Sequence, residues 1–179
     1  MSPQGRQLIL GLGSNLGDRP QNIADAITAL SLVPGIQVVA YSQVIDSDPV
    51  GFQDQGNFLN CCIAIVCNLN AGDLLKKTLA MEETLGRVRT ENKNGPRVID
   101  IDLLFDVAGE YESPELTLPH PRWKERGFVV IPLRQLLQEP TLANHREWIS
   151  LKAEVDALTI GGAGLRVWQG PTPWIKTQP

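Results

Sequence analysis

Two helical periodicities, each flanked by short apolar runs, set the narrowest limit on what this 179-residue chain can fold into. Residues 8–13 carry Leu8, Ile9, Leu10 and Leu12 without a charge, as a buried strand does. Ile23, Ala26, Ile27 and Leu30 then recur at helical spacing, behind a capping Asp18 and a first-turn Pro20. Pro34 and Gly35 close that helix. Residues 36–45, with Val38, Val39, Tyr41 and Val44, have strand composition, as do residues 58–66. Asn70 caps a second helix through Leu74, Leu75, Leu79, Met81 and Leu85, and Gly86 ends it. A last strand spans 98–105. The order β-α-β-β-α-β is the ferredoxin-like pattern, an α+β fold whose antiparallel sheet carries helices on one face. The expected core is 1–138, with 139–179 an extension packed on or trailing from it. Within this division a helical turn is expected after His120 and Pro121. Residues 128–137 are expected to divide between a strand and a helix, and the Gly- and Pro-rich stretch 161–179 is expected either to pack as a terminal arm or to dangle.

The last strand of that pattern also carries the chemistry. Asp100 and Asp102 interrupt the apolar run Val98, Ile99, Ile101, Leu103, Leu104 and Phe105. In a strand, residues two apart share a face, roughly 7 Å apart at Cα. Two acids on one face of a half-buried strand are costly unless something compensates them. A divalent cation does so, and an all-oxygen ligand set selects Mg²⁺ over zinc or copper. Immediately upstream, Arg87, Arg89, Lys93 and Arg97 stand against Glu91, a net of +3 over 87–97. Residues 98–115 hold six acids and no cation. A polyphosphate with its metal fits the seam between these segments.

Charge and composition narrow the alternatives. A net charge of −4 argues against a broad nucleic-acid surface. No apolar run is long enough to span a bilayer, and the first residues lack a signal-peptide profile, so a cytoplasmic location is expected. Cys61, Cys62 and Cys67 read as small buried hydrophobes, and only His120 and His145 are available to a zinc site.

Other segments carry weaker signals. Gly11, Gly13 and Gly17 suggest a dinucleotide loop, but Leu16 stands where its third glycine belongs. Small residues there let a ligand or a loop come close. Asn60, an amide entering an apolar strand, wants a partner and suits the edge of a heterocycle. His120 lies between Pro119 and Pro121, with Arg126, Gly127 and Phe128 downstream, among the groups suited to phosphate.

Taken in order, these blocks resemble the 6-hydroxymethyl-7,8-dihydropterin pyrophosphokinase family over about residues 8–138. The matching residues are Gly13 to Asp18; Asp54 and Gln55; Phe58 to Asn60; Gly86 to Arg89; Gly95 to Asp102; Pro119 and His120; and Arg126 to Phe128. The resemblance implies transfer of pyrophosphate from ATP, the co-substrate, to the hydroxymethyl oxygen of 6-hydroxymethyl-7,8-dihydropterin, releasing AMP. It implies two Mg²⁺ ions on Asp100 and Asp102. Arg87, Arg97, Ile101, Thr117, His120 and Arg126 fall on ATP-contacting positions. Arg87 and Arg89 join the two acids as catalytic residues, Arg89 on the family's catalytic-loop position. Ser47, Val50, Phe58, Asn60 and Phe128 fall on the pterin pocket. Family members often place an aromatic before the Gly-Pro-Arg block, where this chain has Asn94. The protein is expected to act as a monomer on small molecules, with no membrane or nucleic-acid partner.

Two rivals share the architecture. A palm-type two-metal nucleotidyl transferase would attack the α-phosphorus and release pyrophosphate instead of AMP. A ferredoxin-like small-ligand binding module would bind without turnover.

Overall fold

The computed structural model describes residues 5–88, 95–143 and 145–174. Strand β1 (Arg6–Ser14), helix α1 (Arg19–Ser31), strands β2 (Ile36–Tyr41), β3 (Ile45–Ser47) and β4 (Phe58–Cys67), helix α2 (Ala71–Thr84) and strand β5 (Asp100–Asp106) form the expected series. Both helix caps are as read from sequence. Asp18 accepts the Gln21 N–H at 3.1 Å, and Asn70 accepts the Asp73 N–H at 2.8 Å. After Leu85, Gly86 turns the chain out of α2 with φ +97°, a conformation that costs glycine little.

β1 lies between β4 and β5, antiparallel to both. The expected single strand over 36–45 is two strands. β2 pairs with the 63–67 end of β4, and β3 with residues 58–60. Ser42 makes the break: its hydroxyl accepts the Cys62 N–H at 2.8 Å, taking a place in the ladder beside its own backbone bond to Cys62.

Beyond β5 the chain forms a hairpin of β6 (Tyr111–Glu112) and β7 (Thr117–Leu118), then a single 3₁₀ turn at Trp123–Glu125. α3 (Gly127–Leu136) follows, and it corrects the mixed expectation for 128–137. Val129, Val130, Leu133, Leu136 and Leu137 are all buried, and their spacing is helical despite the β-branched start. Next come α4 (Pro140–Ala143), α5 (Ile149–Ala157) and β8 (Leu165–Val167), which pairs antiparallel with β3.

Helices cover both faces of the sheet, not one. Leu8, Leu10 and Leu12 of β1 and Cys61, Ile63 and Ile65 of β4 join α1 and α2 in one core. Ile9, Cys62, Ala64, Leu104 and Phe105 turn the other way, onto α3 and α5. Each fully buried leucine or isoleucine contributes roughly 1.5–3 kcal/mol. The second layer is tied down by polar contacts as well. Trp148 donates its ring N–H to Gln7 at 2.6 Å, and Arg134 donates to the carbonyls of Val155 and Leu158 at 2.9 and 2.7 Å. Between this layer and the 58–60 end of β4 a cleft opens, lined by Gly127 and Phe128 on one side and Phe58 and Asn60 on the other.

Candidate active site

The alternation of β5 decides which way its acids point. Ile101 and Leu103 go into the core under α1 and α2, so Asp100 and Asp102 face the opposite side with Leu104. In the sheet register Asp100 stands opposite Gly13, and Gly13 opposite Asn60. One step along, Asp102 stands opposite Gly11, and Gly11 opposite Cys62. The two glycines therefore clear the floor between the acids and the amide. A Cβ on Gly13 would meet Asn60 Oδ1 at 3.0 Å and the Asp100 Cβ at 4.0 Å.

The cleft above this floor has a volume of about 840 Å³. Asp100, Asp102, Arg97, Arg126, Ser47, Val50, Phe58, Asn60 and Phe128 all line it, so nine of the sequence-derived site residues meet in one place. Arg97 lies 5.7 Å over the ring of Phe58, and Arg126 lies 5.9 Å over that of Phe128. Asn60 donates to Ser47 Oγ at 2.8 Å, which fixes the orientation of its amide.

The remaining predicted residues stand differently. Arg87 lies behind Asp100, bonded to it and to Glu82, the latter at 2.6 Å. Ile101 is buried on the far side, and its N–H is taken by Glu82 at 2.7 Å. Thr117 and His120 lie beside β5, off the cleft lining; the His120 amide donates to the Leu104 carbonyl at 2.9 Å. Arg89, Lys93 and Asn94 lie outside the described residues.

Cations hold both acids before any ligand arrives. Asp100 is bonded to Arg87 and, at 2.9 Å, to Arg97. Asp102 is 3.3 Å from Arg126 and keeps 38% of its side-chain surface, turned to the cleft. Partial desolvation in the cleft, reinforced by the Asp100 charge, raises the Asp102 carboxyl above its usual value. Burial and the Arg126 charge hold His120 below the usual histidine range. A site with this balance accepts a cation against its acids and an anion against its guanidiniums. Among the described residues no group of three or more His, Cys, Asp or Glu side chains could enclose a metal unaided. Two carboxylates alone fit Mg²⁺, which is commonly held by one or two protein carboxylates plus substrate phosphates.

Glu82 carried no recognised signal in the sequence, and Asn15, inside the matching block Gly13 to Asp18, was given no role of its own. Glu82 is 1% exposed and reaches β5 from α2; its spacing from Leu74 and Thr78 puts it on the core face of that helix, which was the available clue. Asn15 joins three loops. It donates to Gln55 at 2.9 Å and to the Gly56 carbonyl at 3.0 Å, and it accepts the Arg97 N–H at 2.8 Å.

Comparison with known proteins converges on one family. The profile of 7,8-dihydro-6-hydroxymethylpterin-pyrophosphokinase (HPPK) matches residues 9–138. The 2-amino-4-hydroxy-6-hydroxymethyldihydropteridine pyrophosphokinase of Bacillus subtilis is 37% identical over 160 residues, 89% of each chain. Its counterpart in Methylorubrum extorquens is 45% identical over 127 residues, 71% of this chain and 80% of the relative. Among solved structures, Plasmodium falciparum HPPK-DHPS with STZ-DHP aligns at a TM-score of 0.59 and 12% identity. The alignment covers 76% of this chain and 42% of that longer one, and it speaks for the fold. On the profile match and the level of identity to full-length relatives, this chain belongs to the 7,8-dihydro-6-hydroxymethylpterin-pyrophosphokinase family.

Proposed function

We propose that the cleft over Gly11 and Gly13 is where this folate-pathway enzyme moves pyrophosphate from ATP to 6-hydroxymethyl-7,8-dihydropterin, with Asp100 and Asp102 as the ligands of two Mg²⁺ ions. The observation that carries the assignment is the sheet row Asp100, Gly13, Asn60: a cation-binding carboxylate and a heterocycle-reading amide on the two strands that flank β1, with only a glycine between them.

The pterin enters beside Phe58 and Phe128, which offer apolar ring faces to a flat heterocycle. Asn60, held by Ser47, presents its amide to the polar edge of the ring, and Val50 borders the same half. ATP enters from the basic side, where Arg97 and Arg126 give forked donors to its phosphates. Arg87 secures Asp100 from behind and adds positive charge; His120, Thr117 and Ile101, off the cleft lining, are assigned to the nucleotide by the family resemblance alone. Arg89, outside the described residues, is assigned to catalysis by the family resemblance alone. The hydroxymethyl oxygen attacks the β-phosphorus, the bond from that phosphorus to the α,β-bridging oxygen breaks, and AMP leaves. The alcohol proton passes to solvent. Mg²⁺, when bound, neutralises phosphate charge and favours in-line displacement. The guanidiniums of Arg97 and Arg126 supply the rest, by positioning and by electrostatic stabilisation.

A monomeric state is part of the proposal: nine of the sequence-derived site residues of a single chain already meet in one cleft. Cys61, Cys62 and Cys67 are free thiols, in keeping with a cytoplasmic enzyme. Among the described residues no helix is long and apolar enough to cross a membrane. Incubation with ATP, Mg²⁺ and 6-hydroxymethyl-7,8-dihydropterin tests the assignment. The expected products are AMP and the pterin diphosphate; release of pyrophosphate or ADP overturns it.

A further inference from the structure

The arm beyond α5 is not needed by the reaction as described, yet it stands inside the cleft. Thr159, Ile160, Gly161, Ala163, Gly164 and Leu165 line the same cavity as Asp100 and Asn60. β8 brings them there by pairing with β3 in the register Ser47 to Leu165 and Asp46 to Arg166. Leu165 is thus the strand partner of the serine that orients Asn60.

The contacts on either side of Leu165 are close. A Cβ on Gly127 would lie 2.6 Å from Leu165 Cδ1 and 2.9 Å from Ile160 Cγ2. Two apolar side chains therefore press on the first turn of α3, one residue before Phe128. On the other side, the Gly164 carbonyl accepts the Asp48 N–H at 2.8 Å, and Gly164 has φ +71°. A Cβ there would meet Asp48 Oδ2 at 2.8 Å, so a side chain is excluded both by backbone and by space. Arg166 clamps the same turn, bonding Asp46 at 2.9 Å and Asp48 at 2.7 Å. Asp46 is held in addition by Asn57 at 3.0 Å and Arg19 at 3.2 Å. The arm thereby spans from the loop carrying Pro49 and Val50 to the helix carrying Phe128.

We propose that the arm over 159–167 is the outer wall of the pterin half of the cleft. Leu165 and Ile160 set its width against α3, and Arg166 holds the loop after β3 in register with it. The proposal rests on the pterin assignment given above. It makes Leu165 a specificity-determining residue and Arg166 a positioning residue.

The test is a comparison of Leu165→Ala, Leu165→Phe and Arg166→Ala with the unaltered protein. Pterin binding is followed by ligand fluorescence, KM for each substrate by AMP release, and folding by Tm. Removing the isobutyl wall is expected to weaken pterin binding roughly tenfold, as loss of apolar contact in a small pocket does. Leu165→Phe, which keeps an apolar strand residue, is expected to narrow the site and also raise the pterin KM. Arg166→Ala, an exposed substitution, is expected to raise the pterin KM with the ATP KM unmoved. Folded variants with unchanged pterin affinity, or with both substrates weakened equally, overturn the wall. The two failures are separable: absence of AMP with the unaltered protein strikes the reaction, whereas the binding measurement strikes the arm alone.

Discussion

The carboxylate of Glu82 accepts the backbone N–H of Ile101 at 2.7 Å, so α2 holds β5 at the residue between the two cleft acids. The same carboxylate bonds Arg87 at 2.6 Å, and Arg87 bonds Asp100. Burial, then the Asp100 charge, push the Glu82 carboxyl up to about 7 against the opposing pull of the Ile101 N–H and Arg87. Glu82 is thus a buried strut that fixes both the strand and the guanidinium behind the cleft. Its removal leaves a backbone donor and a cation short of their partner.

Glu82→Ala is accordingly expected to cost about 3 kcal/mol of stability, within the range for breaking a buried ion pair. Glu82→Gln keeps an acceptor for Ile101 and is expected to lose less than half as much. Chemical unfolding of the two variants checks the order; equal losses would show that the Ile101 bond contributes little.

Asp100→Asn and Asp102→Asn keep the shape of β5 and remove charge from the cleft. Each is expected to lower turnover about a thousandfold, the scale of several kcal/mol of lost charge stabilisation in the transition state. Both are expected to abolish the Mg²⁺ dependence of ATP binding, read by titration with a nucleotide analogue. Asp100→Asn further weakens the tie to Arg87 and Arg97, so its effect on ATP affinity is expected to exceed that of Asp102→Asn.

Gly13→Ala probes the cleared floor. The added methyl would stand 3.0 Å from Asn60 Oδ1, tighter than an unstrained contact, and 3.9 Å from Phe58 Cδ1. Gly13 has no positive φ, so the backbone accepts alanine. The expected outcome is a folded protein whose pterin KM rises about tenfold through displacement of the amide. An unchanged pterin KM would mean that Asn60 yields without loss of function.

Local pattern carried the central elements. Asp18 and Asn70 announced their helices because a cap depends on the residues beside it. Asp100 and Asp102 announced a shared face because strand alternation is a property of the backbone. Residues 36–45 were misread as one strand because the break depends on Ser42 reaching Cys62, twenty residues away. Leu165 and Arg166 were illegible for the same reason: their meaning comes from pairing with β3, and that of Ile160 from its approach to Gly127, neither of which a neighbouring residue specifies. The apolar start of α3 misled because Val129 and Val130 favour strands by composition, while burial follows helical spacing into Leu133 and Leu136.

The clamp on Asp46 gives the arm an acid limit. Burial raises the Asp46 carboxyl, but the bonds from Arg166, Asn57 and Arg19 outweigh it and hold the group below its usual value of 3.8. A carboxylate depressed in the folded state adds stability that is complete above its unfolded value and is lost as pH falls through the folded one. The contribution of Asp46 is therefore present at neutral pH, begins to fall below about pH 3.8 and is gone only below the lower folded value. Asp46→Asn keeps the shape and removes the titration. It is expected to be less stable than the unaltered protein by about 1 kcal/mol at neutral pH, with the gap closing in acid. Urea unfolding at neutral pH and in a series of acid buffers measures that gap. A difference that stays constant across the series would show that Asp46 and Arg166 contribute through shape alone.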